Sequence, residues 1–109
     1  MGSLYCRGKY DTAVFEAMQV VEVRVREASG LAATDIGTLV MRRAFNKDNG
    51  PLADMGMLPA EREARSALFA GAIGSYKNPQ SHRQVDLDDP DEAAEIIMLA
   101  NHLLRIVDA

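Results

Sequence analysis

The segment Gly74-Ser75-Tyr76-Lys77-Asn78-Pro79-Gln80-Ser81-His82-Arg83 gathers a cation, an amide, a helix breaker and a histidine, and a second cation follows at once. Those residue types suit phosphodiester cleavage without metal. A neutral His82 takes the proton from an RNA 2′-hydroxyl, and the oxyanion attacks the adjacent phosphorus. Lys77, with Arg83, stabilises the charge that builds on the phosphoryl oxygens. Tyr76 offers a face on which a base can stack. General base catalysis contributes roughly 10²- to 10⁴-fold, so one histidine and one cation make a modest catalyst. The products are a 2′,3′-cyclic phosphate and a 5′-hydroxyl.

Spacing decides whether these groups can meet. On a straight helix, positions 77 and 82 stand roughly 140° apart around the axis. Asn78 and His82 are four apart and share a face if the turn is roughly helical. Pro79 bends the chain and can swing Lys77 towards His82. The plainer reading of the same stretch is a helix C-terminus with a favourable cation and a surface histidine.

Other candidates carry less. Asp86, Asp88, Asp89 and Asp91 could hold a hard cation, but the glycine and distal glutamate of a calcium loop are missing. His102 has no Cys or His partner at ligand spacing and reads as a surface or packing residue. Glu22, polar among valines, reads as a structural partner of Lys77 or Arg24. Cys6 is the only cysteine, which excludes an internal disulfide and a CxxC zinc site. No cofactor and no metal are expected.

Four helical segments must position these residues. The first is expected over 10–28, with Asp11 or Thr12 as cap and Gly30 beyond its end. Val14, Met18, Val21, Val25 and Ala28 form one stripe, which Phe15, Ala17, Val20 and Val23 widen. The second is expected over 35–46, capped by Thr34 or Asp35, with Ile36, Leu39, Val40 and Phe45 inward. Leu52, Met55, Met57 and Leu58 in the following loop should pack over the bundle, and the six methionines read as core filler. The third starts near Pro59 and ends at Lys77 or Asn78, with Ala67, Ala70, Gly71, Gly74 and Ser75 leaving room for a close neighbour. The fourth has Asp89 as cap and Pro90 as first residue, and runs to about Val107.

The 109 residues amount to one domain, with residues 1–7 as an N-terminal tail; Met1-Gly2-Ser3 is compatible with a piece of a longer protein. Apolar residues make up 48% and charged residues 26%, which excludes disorder and, with no long apolar run, a membrane span. No signal peptide is visible and cysteine is scarce, so a cytoplasmic location is expected. The net charge of -4 hides an asymmetry. Six acids and no base lie within 86–95, whereas 1–85 carries eleven Lys/Arg against nine Asp/Glu. A local phosphate site is therefore permitted.

Gly8-Lys9-Tyr10, Ala13-Val14-Phe15-Glu16-Ala17 and Val21-Glu22-x-Arg24-Val25-Arg26 resemble the first helix of a bacterial group within HEPN, the higher eukaryotes and prokaryotes nucleotide-binding superfamily. Leu68-Phe69-x-Gly71-Ala72-Ile73-Gly74 leading into Lys77-Asn78-Pro79-x-x-His82 resembles the signature of its Ymh-like branch. The resemblance spans about residues 8–106. It implies an all-α four-helix bundle and a two-fold homodimer. It also implies metal-independent endoribonuclease activity in phage defence or a toxin-like system. The catalytic roles fall on Lys77, Asn78 and His82, and RNA contacts on Arg83 and Tyr76. The family's arginine is Lys77 here, which keeps the charge but not the planar bidentate fork. The alternative is a catalytically silent dimerisation or nucleotide/RNA-binding module of a larger protein. A third reading is an acidic helical interaction domain that uses 86–95 as its contact face.

Overall fold

Asp89 and Pro90 begin the best-signalled helix, and they do so as capping chemistry requires. The Asp91 N–H donates to Asp89 Oδ1 at 2.9 Å, and Pro90 occupies the first helical turn, where no backbone donor is needed. The computed structural model describes residues 2–32, 34, 36–77 and 89–109. Among these there are four helices and no strand: α1 (Gly2–Ser29), α2 (Thr38–Ala44), α3 (Pro59–Tyr76) and α4 (Pro90–Asp108). The molecule is all-α, and no described helix is long and apolar enough to cross a membrane.

Two helix starts differ from the sequence expectation. The first helix begins at Gly2, so Asp11 and Thr12 lie inside it and residues 2–7 are helical rather than an irregular tail. Nothing between Gly2 and Tyr10 forces a break, since one internal glycine costs only about 1 kcal/mol. The second helix is shorter than 35–46. It begins after Gly37, whose φ of 64° and ψ of -139° no helix accommodates; Gly37 rather than Thr34 stands at the N-cap, and Asp35 lies outside the described residues. Its far end stops at Ala44 because Asn46 draws the chain into a turn. The Asn46 side-chain oxygen accepts from the N–H of Asp48 at 2.9 Å and of Asn49 at 3.3 Å.

The remaining punctuation matches. Gly30, at φ 72°, donates to the Arg26 and Glu27 carbonyls and closes α1. Glu61 accepts from the Leu58 N–H at 3.1 Å beside Pro59, the first residue of α3. Arg62 ties the preceding loop down by donating to the carbonyls of Lys47 and Met57.

The core is a single cluster. From α1 come Val14, Met18, Val21 and Val25; from α2, Val40, Met41 and Ala44; from α3, Phe69, Ala70, Ala72 and Ile73; from α4, Ala93, Ile96, Ala100 and Leu103. Phe45 stacks on Phe69 with ring centroids 4.1 Å apart. The most extensive contacts pair α1 with α4 and α2 with α3. A Cβ placed on Gly74 would lie 3.4 Å from Thr38 Cγ2, an ordinary contact, and one on Gly71 would face open space, so neither glycine is required by a close neighbouring helix.

Several apolar residues expected inside are outside. Val20, Val23, Ile36 and Leu39 are exposed, as is Ala28; on α3 Leu68 and the small Ala67 are exposed too. In the 52–58 loop Leu52 packs on the core, but Met55 and Leu58 are exposed. Among the described methionines only Met18 and Met41 belong to the buried core, and Met98 is 68% exposed. Each helix carries more apolar arc than its three described neighbours cover.

Candidate functional site

The site is built where α3 ends. Lys77 is the residue that follows α3, and its N–H still donates to the Ile73 carbonyl at 3.0 Å, so the last turn holds its backbone. Its side chain turns inward and is only 14% exposed. The ammonium Nζ lies 3.2 Å from Glu22 Oε1 and 5.6 Å from the centroid of the Phe15 ring. Both contacts come from α1, fifty-five and sixty-two positions earlier in the chain by number.

Glu22 is the centre of this arrangement. The residue is 4% exposed, and the buried polar residues described are Glu22 and Ser66. Its Oε1 accepts from the Gly37 N–H at 3.0 Å, and its Oε2 accepts from Arg26 Nη2 at 2.7 Å. A carboxylate this deep is tolerated only with partners, and here two cations and a backbone donor supply them. The positive φ of Gly37 is what turns that N–H inward at the start of α2; the combination of 64° and -139° is open essentially to glycine alone.

Of the two partners expected for Glu22, Lys77 is present and Arg24 is not. Positions 22 and 24 point roughly 200° apart on a helix, whereas 22 and 26 lie one turn apart on one face. Arg24 instead donates to Asp108 at the end of α4, at 2.8 and 2.7 Å. The hydrogen bonds, and then the charge, of Asp108 raise the Arg24 pKa further above its ordinary value. Arg26 was not singled out from sequence, although the i, i+4 spacing was the available signal.

Tyr76, adjacent to Lys77, packs partly against the core and lines a surface pocket with Asp89, Glu92, Glu95, Ile96 and Leu99. Three carboxylates on that rim repel a phosphate locally. Asn78, Pro79, His82 and Arg83 lie outside the described residues, as do Asp86 and Asp88. Asp89 is engaged as the α4 cap, and His102 is exposed on α4.

A family model described as "Protein of unknown function (Hypoth_ymh)" matches residues 2–107. The chain belongs to that family. The match takes in α1, α2 and α3 whole and α4 up to Val107, and so includes Glu22, Gly37 and Lys77 of this Hypoth_ymh chain. No curated protein and no solved structure matches the chain.

Proposed function

We propose that this Hypoth_ymh chain is a metal-independent endoribonuclease domain of the HEPN type. It acts in the cytoplasm as a two-fold homodimer, in phage defence or a toxin-like system. The observation that carries the reading is the fixed ammonium of Lys77 at the end of α3. It immediately precedes Asn78, with four residues between it and His82. His82 removes the 2′-hydroxyl proton, and the 2′-oxygen bonds to phosphorus. The 5′-oxygen departs with a proton, leaving a cyclic phosphate. Lys77, helped by Arg83, balances the added negative charge. Asn78 orients His82, and Tyr76 stacks on a base.

Dimerisation supplies what one copy lacks, a second histidine to act as acid beside the first acting as base. The exposed Val20 and Val23 on α1, and Leu68 on α3, are apolar surface that a second copy would cover.

One observation favours a second reading, the silent dimerisation or nucleotide/RNA-binding module. Lys77 is already paired with a buried carboxylate, and a cation so engaged can be purely architectural. Incubation with mixed RNA in EDTA, followed by end-group analysis, separates the two. Cyclic phosphate ends that vanish in His82→Ala support the enzyme. Activity that is lost in EDTA and restored by magnesium overturns the mechanism, and RNA binding without cleavage supports the module. Sedimentation at micromolar concentration showing only an 11.9 kDa species would overturn the dimer.

A further inference from the structure

We infer that Glu22 is a positioning residue for Lys77: it sets where the ammonium stands when RNA is bound, an inference that rests on the ribonuclease reading above. Lysine places a compact charge on a flexible four-carbon stem, and alone it would spread over many rotamers at a helix end. Here the stem is held. Glu22 Oε1 lies 3.2 Å from Nζ, and the Phe15 ring lies 5.6 Å away.

Glu22 is itself fixed from two further sides. Arg26, one turn along the same helix, holds Oε2 at 2.7 Å, and the Gly37 N–H holds Oε1 at 3.0 Å. The carboxylate therefore joins α1, the residue that leads into α2 and the residue that follows α3 at one buried point. Any displacement of α3 against α1 or α2 moves the cation that the reaction uses. Rigid support of this kind is what preorganised charge stabilisation needs, because the cation must already stand where negative charge will appear.

The same geometry gives a signature that architecture alone does not. Glu22 opposes the charge of a bound phosphate. Replacing it by a neutral isostere should leave RNA affinity unchanged or raise it, while turnover falls because Lys77 is no longer held. Loss of folded protein would lower binding capacity and turnover together.

The test uses Glu22→Gln, with Glu22→Asp as a second variant that keeps the charge but shortens the reach. Two readouts are taken on folded protein. One is acylation of lysine amines by acetic anhydride, measured residue by residue by mass spectrometry, with exposed Lys47 as internal reference. The other is kcat and KM for RNA in EDTA. Lys77 should be acylated more slowly than Lys47 in the unaltered chain and several-fold faster in either variant. The kcat should fall by about 10- to 100-fold, the scale of a misplaced catalytic group, with KM unchanged or lower. Unaltered Lys77 acylation in both variants would overturn the inference whatever the RNA assay shows. A freed Lys77 with unchanged kcat would overturn it as well. A freed Lys77 in a chain whose unsubstituted form does not cleave RNA would overturn the ribonuclease reading and uphold the hold of Glu22 on Lys77.

Discussion

Replacing Glu22 by alanine should unfold the chain more readily than any surface change. The Gly37 N–H would lose its acceptor in a buried position, which costs about 1–3 kcal/mol. Arg26 and Lys77 would lose their common counter-charge, and breaking a buried pair from one side costs about 3–5 kcal/mol. These contributions overlap. The two cations also retain 17% and 14% exposure, so each can turn partly towards water. A total of about 3 kcal/mol is the consistent value, taken from the lower end of the buried-pair range. For a chain of this length, that lowers the melting temperature by about 12 °C, at about 4 °C per kcal/mol. Glu22→Gln keeps an acceptor for Gly37 and loses only the charge, so its cost should lie towards the lower end of the range of about 1.5–3 kcal/mol for one hydrogen bond to a charged group. Urea unfolding followed by circular dichroism measures both, and the slope should not change. Arg24→Ala is the control, because the exposed pair with Asp108 should barely move the midpoint. A Glu22→Ala midpoint within about 0.5 kcal/mol of the unaltered chain, the range of ordinary surface substitutions, would refute the buried junction.

Phe69→Ala should cost about 3–5 kcal/mol, because the side chain is fully buried and stacks on Phe45; a thermal melt reads it directly. Gly50→Ala should cost about 1–3 kcal/mol by overpacking, since the added Cβ meets the Asn46 backbone nitrogen and lies 2.6 Å from the Ala44 carbonyl oxygen; chemical denaturation checks this. Asp89→Ala should cost about 1 kcal/mol through loss of the α4 cap, measured the same way. His82→Ala should abolish RNA cleavage while helicity and the dimer persist, and Lys77→Arg should preserve or raise cleavage, since guanidinium grips phosphate at two points; end-group analysis and sedimentation score both.

Helix ends were legible wherever a residue acts on its own backbone. Pro59, Pro90, Asp89 and Gly30 each do so within a few positions, and each stands where its chemistry implies. Asp11 and Thr12 have the chemistry of caps too, yet they lie within α1, because a capping residue works only where the helix stops for some other reason. Gly37 offered the opposite case. A glycine in sequence does not announce a positive φ, and this one starts α2 through a backbone turn that satisfies a carboxylate fifteen positions away.

The sequence by itself determined the all-helical class, the breaks at Gly30 and at Asn46 and the buried stripe of Val14, Met18, Val21 and Val25, because a 3.6-residue period and local capping operate within one segment. The i, i+4 spacing of Glu22 and Arg26 lies in the sequence too, since such neighbours meet on any helix, although the expected partners were Lys77 and Arg24. Tertiary structure alone decided which arc of each helix is covered. It left Val20, Val23, Ile36, Leu39 and Met98 exposed although their hydrophobicity equals that of their buried neighbours. It also decided that Lys77 ends beside Glu22. Periodicity gives the direction of a side chain around its own axis, but the distance between residues on α1 and α3 depends on how those helices cross and how closely the core between them packs.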